Sequence, residues 1–178
     1  DVTGDAGPQF TLDERRQALR QVGALVESPS LYGHLSGREN LEVTRRLIGA
    51  PAARIDWVLE RVDLAGAAHR RVREYSLGMR QRLAIGLALL GAPRLLVLDE
   101  PANGLDPAGI VDLRRLLRGL AEDGITIFVS SHLLSEVELV ASHVGVLHEG
   151  RLRFQGHLAE LRARVHPRLH LRCEPALR

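Results

Sequence analysis

The chain has 178 residues, about the length of one globular domain, and its 24 basic and 22 acidic residues give a formal net charge of +2. Such a mild charge excess, with both signs interspersed, indicates an ordinary solvated surface and argues against a nucleic-acid-binding patch. The longest apolar run, residues 83–92, is too short to span a bilayer, and the single cysteine, Cys173, has no partner for an internal disulfide.

The first predicted elements are a helix and a strand. Thr11-Leu12-Asp13-Glu14 is a capping-box pattern, which predicts a helix over residues 12–20. Residues 22–26 form a short apolar strand that ends before Pro29, because proline restricts the residue that precedes it. The composition is 45% hydrophobic and only 3% aromatic, which predicts an aliphatic core of the kind that surrounds parallel strands.

Residues 37–90 are predicted to be mainly helical. The hydrophobic pattern gives helices at 38–48 and 52–62, separated by Gly49 and Pro51. A third helix follows Ser76 and extends to about residue 90. This block interrupts the alternation of strands and helices, so we interpret it as a helical insertion.

Strands and helices alternate in the rest of the chain. We predict a strand at 95–98, a helix at 108–121, a β-branched strand at 125–130 and a short helix at 133–140. Residues 144–147 and 151–154 flank His148-Glu149-Gly150 and are predicted to form a β-hairpin. The alternation implies βαβ units and a mostly parallel sheet.

Two motifs carry the strongest functional signal. Residues 75–82, YSLGMRQR, open a helix with a polar turn, and residues 94–101, RLLVLDEP, end an aliphatic strand in two adjacent carboxylates. Gly104-Leu105-Asp106-Pro107 follows directly, and Ser130-Ser131-His132 lies further along the chain. In this order the motifs resemble those of the ATP-binding subunit of an ABC transporter, most closely the bacitracin- and lantibiotic-type exporter group. The resemblance extends from about residue 22 to residue 156.

The resemblance implies an α/β fold, the P-loop NTPase (RecA-like) core of an ABC ATPase with a mostly parallel sheet and an inserted α-helical subdomain. Residues 1–29 and 93–160 are expected to form the core subdomain. Residues 30–92 are expected to form the helical subdomain that carries the signature motif, and residues 161–178 an incomplete C-terminal segment.

A phosphate loop is expected in this family but is not found in these residues. Its pattern, G-x-x-x-x-G-K-[ST], needs a lysine that reaches the terminal phosphates, and all 24 basic residues are arginines. The family places that loop upstream of the region that matches Asp1, so we interpret the sequence as a fragment that begins after the loop. On their own, these residues are expected neither to bind ATP tightly nor to hydrolyse it.

Asp99 and Glu100 are the predicted catalytic pair. Ligands bind at the carboxyl ends of strands in open α/β sheets, and phosphoryl transfer needs metal-neutralised charge and a positioned nucleophile. The resemblance implies that Asp99 helps to hold Mg²⁺ and that Glu100 is the general base for the attacking water. The alternative for a lone Leu-Asp-Glu is a strand that ends in two solvated acids, but Pro101, Gly104 and Asp106 in register favour the functional role.

Residues 75–79 occupy the place of the family signature, usually written L-S-G-G-Q. Ser76 is suited to cap the following helix, whose first N–H groups and positive dipole end favour a phosphate. The resemblance implies that this phosphate belongs to ATP held by the opposite subunit, with Ser76, Leu77, Gly78 and Met79 as the contacts. Ser76 and Gly78 match the signature, whereas Leu77 replaces a glycine and Met79 replaces the glutamine.

Three further positions receive roles from the resemblance. His132 directly follows a predicted strand and matches the switch histidine that contacts the γ-phosphate and the attacking water. Asp106 matches the loop that couples the two ATP sites across a dimer, and its alternative is a turn aspartate before Pro107. Glu27 takes the Q-loop position, where most relatives carry a glutamine that ligates Mg²⁺, and its alternative is a solvated loop acid.

The sequence is therefore interpreted as the ATPase subunit of an ABC transporter. The resemblance implies that two subunits, identical or different, sandwich two ATP molecules with Mg²⁺ and move a separate membrane-spanning permease at the cytoplasmic face of the cell membrane, with no nucleic acid as partner. Leu31, Tyr32 and Leu35 either line the groove for that partner's coupling helix or pack between helices.

Two other functions are compatible with part of the pattern. One is a soluble ABC-type ATPase that acts on ribosomes or DNA. Such proteins usually carry tandem ATPase domains or a long coiled-coil insertion, and neither is found between residues 27 and 93. The other is a non-catalytic partner subunit, against which the presence of Glu100 and His132 argues.

Overall fold

A computed structural model describes residues 11–26, 30–132 and 138–164. The chain divides into two compact units, one ending at residue 132 and the other beginning at residue 133. In the described residues the first unit contains a parallel sheet with its helices, and the second contains a β-hairpin followed by a helix. No helix in the described ranges is both long and apolar enough to cross a membrane.

The sheet of the first unit has three short strands in the part of the chain that the structure describes. β1 (Val22–Leu25), β2 (Leu95–Leu98) and β3 (Thr126–Val129) lie side by side in that order, and all are parallel. The central strand is the best buried, with Leu96 and Leu98 fully enclosed. The parallel sheet predicted from the alternation of elements is therefore confirmed.

Helices make up most of the remaining structure. The first unit contains α1 (Leu12–Leu19), α2 (Gly37–Ile48), α3 (Arg54–Arg61), α4 (Leu77–Leu89) and α5 (Pro107–Glu122), with short 3₁₀ helices at Ala65–Ala67 and Val72–Glu74. In the second unit, β4 (His143–His148) pairs antiparallel with β5 (Arg151–His157), and α6 (Leu158–Arg164) follows.

Local capping signals explain where helices begin and end. Thr11 caps α1 and Ser36 caps α2, each in a reciprocal capping box with Glu14 or Glu39. The box predicted at Thr11 is confirmed. Hydrogen bonds from the backbone and hydroxyl of Ser36 lower the pKa of Glu39. Helix α2 ends at Gly49, whose φ of 71° lies in the left-handed region that glycine adopts without strain.

The predicted elements differ from the structure mainly at their ends. α3 begins at Arg54 instead of residue 52, because the Arg54 N–H donates to the Pro51 carbonyl in a turn. Residues 133–137 of the helix predicted at 133–140 lie outside the described residues, and residues 138–140 form a turn. The sequence does not predict α6 or the 3₁₀ helices, since elements this short give little periodic signal.

The core of the first unit is aliphatic, as the composition predicts. Tyr75 is the only aromatic residue among the buried residues described. Gly23 allows β1 to lie directly against α4, because a Cβ at Gly23 would come within 2.4 Å of the Ala88 carbonyl oxygen. The largest fully enclosed side chains come from the helices, from residues that flank them and from the central strand: Leu41, Val58, Leu59, Val62, Leu64, Leu83, Ile85, Leu89, Leu90, Leu96, Leu98 and Leu120.

Candidate functional site

The candidate site lies where β2 and β3 end. Asp99 and Glu100 follow β2, and Ser130 and His132 follow β3. Because the two strands are parallel neighbours, their carboxyl ends meet at the same edge of the sheet, which is where ligands bind in open α/β folds. The structure thus brings together the predicted residues Asp99, Glu100 and His132.

Ser130 joins the two acidic residues. Its Oγ donates a hydrogen bond to Oδ1 of Asp99 over 2.5 Å and accepts one from the backbone N–H of Glu100 over 2.9 Å. The backbone N–H of Ser130 donates to the carbonyl of Leu98 at 3.0 Å, which continues the β2–β3 ladder. A single hydroxyl therefore donates a hydrogen bond to the carboxylate of Asp99 and accepts one from the backbone of Glu100.

Glu100 has an unusual backbone conformation. Its φ of 44° lies in the left-handed region, which is strained for a residue with a Cβ and is common at functional sites. Its Oε2 lies 2.9 Å from Nδ1 of His132. The Glu100 side chain is 36% exposed and that of His132 is 65% exposed, so both are accessible to a ligand.

This arrangement suits general-base chemistry. With the proton on Nδ1, His132 donates to Glu100, and the carboxylate is held as a proton acceptor. The imidazole then has Nε2 available for a second contact. A carboxylate oriented by a neighbouring imidazole at a strand end is the arrangement that can take a proton from a water molecule within hydrogen-bonding distance.

The donor set at Asp99 fits a magnesium ion bound together with a nucleotide. Mg²⁺ usually takes one or two carboxylates and completes its shell with phosphate oxygens and water. Asp99 supplies one carboxylate whose orientation is fixed by Ser130. Glu27, the other predicted ligand, lies outside the described residues. Within the described ranges, no three His, Cys, Asp or Glu side chains come together as a metal site.

Ser76 caps α4, as predicted. Its Oγ accepts a hydrogen bond from the Met79 N–H at 3.2 Å, and the helix begins at Leu77. Leu77 and Gly78 are thus the first two helical residues, and Leu77 is 51% exposed. The replacement of a signature glycine by Leu77 is accommodated in ordinary helical backbone.

Asp106 caps α5. Its Oδ1 accepts from the Gly109 N–H at 2.9 Å, and Pro107 occupies the first turn of the helix, where a missing N–H costs nothing. The structure therefore assigns Asp106 a local capping role. Its coupling role involves a second subunit and stays a prediction.

The starts of α4 and α5 face a common cleft of about 390 Å³. Its lining includes Ser76, Leu77, Gly78, Gly104, Leu105 and Asp106. Gly104 has a φ of 75°, and a Cβ there would lie 3.2 Å from Cδ2 of Leu77. The signature turn and the loop before Asp106 are therefore in contact within one chain. The N-terminus of α4, capped by the uncharged Ser76, favours an anion, whereas that of α5 is already capped by the Asp106 carboxylate.

The predicted groove residues fall into two groups. Tyr32 is 52% exposed, and its backbone is fixed by Asn40, whose side chain bonds both the N–H and the carbonyl of Tyr32. Leu31 is partly buried against the core, and Leu35 is also partly buried. Tyr32 thus belongs to the surface and Leu31 to the packing.

The sequence gives no role to Ser130, although the structure puts it at the centre of the site. The available signal was a pair of hydroxyl residues, Ser130 and Ser131, at the end of a β-branched strand just before His132. Which of the two faces Asp99 depends on the alternation of side chains along β3 and on the register with β2, and neither is fixed by the motif.

The sequence profile of the family described as ABC transporter matches residues 2–103. The chain is similar to the bacitracin transport ATP-binding protein of Bacillus licheniformis, with 50% identity over 140 residues, 78% of this chain and 46% of the relative. The lantibiotic transport ATP-binding protein of Streptococcus pyogenes is 43% identical over 137 residues, 77% of this chain and 60% of the relative. The chain thus spans about half the length of these curated relatives.

Solved structures agree with the family. The fold is similar to that of cbiO1 from Clostridium perfringens, part of the ABC transporter complex cbiONQ, with a TM-score of 0.78 and 27% identity over 88% of this chain and 64% of that one. An ATP-binding subunit of an ABC transporter gives a TM-score of 0.69 and 29% identity over 85% of this chain and 65% of that one. The predicted ABC ATPase fold is confirmed, and the chain belongs to the ABC transporter family.

Proposed function

We propose that the chain is the ATP-hydrolysing part of an ABC transporter subunit that drives export through a separate membrane-spanning permease. The contact between Glu100 and His132, beside Asp99 at the ends of two parallel strands, carries the proposal. The similarity to bacitracin and lantibiotic transport ATP-binding proteins supports the exporter group. The subunit then acts at the cytoplasmic face of the membrane, bound to its permease.

Each residue of the site has a defined task in this reaction. Glu100 accepts a proton from the water that attacks the γ-phosphate, and His132 orients Glu100 through Nδ1. When both ring nitrogens carry a proton, Nε2 donates to a γ-phosphate oxygen. Asp99 is a ligand of Mg²⁺, which when bound neutralises charge on the phosphates. Glu27, at the Q-loop position, is a second candidate ligand.

The ATP molecule hydrolysed at this site also contacts a second subunit. The N-terminus of α4, capped by the uncharged Ser76, faces the cleft and suits a phosphate group. In this proposal a phosphate loop that precedes these residues holds the nucleotide of its own subunit. The signature residues therefore contact the ATP of the opposite subunit, identical or different: Ser76, Leu77, Gly78 and Met79. Asp106, in the loop that touches Leu77, couples the two sites.

Features of the helical segment support a transporter over an ATPase acting on ribosomes or DNA. Helices α2, α3 and α4 have 12, 8 and 13 residues, too short for a long coiled-coil insertion. Tyr32 offers an exposed aromatic ring on a backbone fixed by Asn40, and this ring is available for a contact with a permease. The proposed division keeps residues 30–92 as the helical subdomain, residues 1–29 and 93–160 as the core and residues 161–178 as an incomplete C-terminal segment. Of these, residues 1–10, 27–29, 133–137 and 165–178 lie outside the described ranges.

The test uses the complete protein, by which we mean these residues together with a preceding phosphate loop. Glu100→Gln should retain ATP binding and lower turnover by about 10²- to 10⁴-fold, the usual cost of losing a general base. Size-exclusion chromatography of this variant with ATP should detect a trapped dimer. Glu149→Gln is the matched control, because Glu149 is also a glutamate with positive φ, here 50°, but is exposed and lies in the β4–β5 turn.

Turnover by the Glu100→Gln variant equal to that of the wild type would exclude Glu100 as the base. A complete wild-type protein that binds ATP without hydrolysing it would overturn the enzymatic proposal and favour a non-catalytic partner subunit. Co-purification of the complete protein with a membrane protein supports the transporter assignment, and co-purification with ribosomes or DNA contradicts it.

A further inference from the structure

We propose that Ser130 is a positioning residue for the hydrolytic reaction, which fixes the carboxylate of Asp99 and the backbone of Glu100 in one arrangement. The inference rests on the proposed function, because the two acids that Ser130 holds are the proposed metal ligand and general base. Ser130 itself need not touch the nucleotide, since its hydroxyl is already engaged on both sides.

The position of the Ser130 hydroxyl is set by the sheet. Leu98 and Val129 are partners in the β2–β3 register, and the Ser130 N–H donates to the Leu98 carbonyl at 3.0 Å. The Asp99 N–H in turn donates to the Leu25 carbonyl of β1 at 2.9 Å. All three strands therefore contribute to the place where Ser130 meets the acids.

The bond to the Glu100 N–H stabilises a strained conformation. Glu100 has a φ of 44°, and a residue with a Cβ persists in this region only where its surroundings fix it. The Ser130 Oγ accepts a hydrogen bond from the Glu100 N–H at 2.9 Å and so holds the Glu100 backbone in the left-handed region. Without that acceptor, the Glu100 backbone is free to relax to an ordinary conformation and to carry its carboxylate away from His132.

The bond to Asp99 restrains the carboxylate that is proposed to meet the metal. A hydrogen bond from a hydroxyl to an ionised carboxylate is short and strong, and the 2.5 Å distance between Ser130 Oγ and Asp99 Oδ1 fits that class. The bond occupies one carboxylate oxygen and limits rotation of the group. Ser130 thus acts on Asp99 and the Glu100 backbone, while His132, two residues later in the same segment, acts on the Glu100 carboxylate.

Four substitutions in the complete protein distinguish the effect of the Ser130 hydroxyl from the effect of side-chain size. Ser130→Ala removes the hydroxyl, Ser130→Thr keeps it, and Ser130→Val has the shape of the threonine variant without the hydroxyl. The comparison of Thr with Val therefore isolates the two hydrogen bonds at constant size. Thr126→Val is the matched control, because it removes a hydroxyl from an exposed residue of β3, the strand that Ser130 follows.

Amide hydrogen exchange without nucleotide is the first measurement. The Glu100 amide should exchange about tenfold faster in the Ala and Val variants, which corresponds to the loss of one hydrogen bond. The Thr variant should match the wild type. Amides of β2 and β3 serve as internal references, since a general loss of stability would accelerate them together with Glu100.

Turnover as a function of Mg²⁺ concentration is the second measurement. The concentration for half-maximal turnover should rise about tenfold in the Ala and Val variants and remain unchanged in the Thr and Thr126→Val variants. Equal behaviour of Ser130→Thr and Ser130→Val in both measurements would overturn the proposal. It would also be overturned if the Glu100 amide exchanged faster only to the same degree as the amides of β2 and β3, because that result indicates a general loss of stability. The exchange measurement needs no ATP, so it tests the role of Ser130 independently of activity. If the protein had no ATPase activity, the proposed function would be refuted, but the comparison of the Thr and Val variants would still decide whether Ser130 holds Glu100.

Discussion

The hydroxyl of Tyr75 fills the space in which any residue other than glycine would place its Cβ at position 37. A Cβ on Gly37 would lie 2.3 Å from Tyr75 Oη, which donates a hydrogen bond to the Ala67 carbonyl at 2.6 Å. Burial raises the pKa of Tyr75, so the hydroxyl keeps its proton as a donor. This contact joins the first residue of α2 to the residue just before the signature serine, Ser76.

Replacement of Gly37 by alanine is therefore expected to destabilise the protein by about 2 kcal/mol, the cost of forcing an extra methyl group into a packed site. Urea unfolding measures the change. Gly66→Ala is the control, because a Cβ at position 66 would meet open space, and it should alter the free energy of unfolding by less than about 0.5 kcal/mol. The double variant Gly37→Ala/Tyr75→Phe should be less destabilised than the sum of its single variants. Equal stability of Gly37→Ala and Gly66→Ala would contradict the contact.

Glu100 and His132 are expected to act as a unit. In the complete protein, Glu100→Gln and His132→Ala should each reduce the turnover number, and the double variant should be no slower than the slower single variant within about threefold, since residues of one catalytic unit are not additive. His148→Ala is the control, because His148 is also exposed but lies on β4. Steady-state ATPase assays give the rates of the wild type and of the four variants. If the loss of turnover in the double variant equals the product of the losses in the two single variants, Glu100 and His132 act independently and the prediction is wrong.

Ser76 is expected to act on the nucleotide of the opposite subunit. Ser76→Arg should leave the ATP affinity of the monomer nearly intact and abolish ATP-driven dimerisation and turnover. Mixing this variant with one that lacks the phosphate-loop lysine gives dimers in which both defects fall on one site, so the other site is intact. Partial recovery of hydrolysis in the mixture is the expected result. Loss of ATP binding by the isolated Ser76→Arg monomer would instead assign Ser76 to its own subunit's nucleotide.

Glu42 is expected to make the stability of the protein depend on pH in the acid range. Hydrogen bonds from Arg45 and then Arg46 lower the pKa of Glu42 from its ordinary 4.5 to about 2. A depressed pKa contributes stability above the unfolded value, and that contribution is lost as the pH falls from about 4.5 towards 2. Urea midpoints measured across this range should fall more steeply for the wild type than for Glu42→Gln. Arg45→Gln should weaken the same dependence, and equal slopes for all three proteins would contradict it.

The 178 residues alone are expected not to bind Mg-ATP with micromolar affinity, because they contain no lysine to reach the terminal phosphates. Isothermal titration calorimetry tests this directly. The complete protein is the positive control, and a cooperative thermal transition of the shorter chain shows that it is folded. Micromolar binding with turnover by the shorter chain would contradict the expectation.

The sequence by itself determined the local elements and the family. The capping box at Thr11, the serine cap of α4 and the aliphatic strand before Asp99 all follow from residues within a few positions of one another. Such signals act over a single turn or strand, so they can be identified before any fold is known. The same local motifs identified Glu100, His132, Ser76 and Asp106 as candidate residues.

Only the tertiary structure decided how those candidates meet. Ser130 and Glu100 are thirty positions apart, and their contact depends on the β2–β3 register as well as on the positive φ of Glu100. A register shift of one residue would turn the Ser130 side chain to the other face of the sheet. The close approach of Gly37 to Tyr75 likewise exists only because two distant segments pack together. Contacts of this kind arise from packing between elements, which no local pattern encodes.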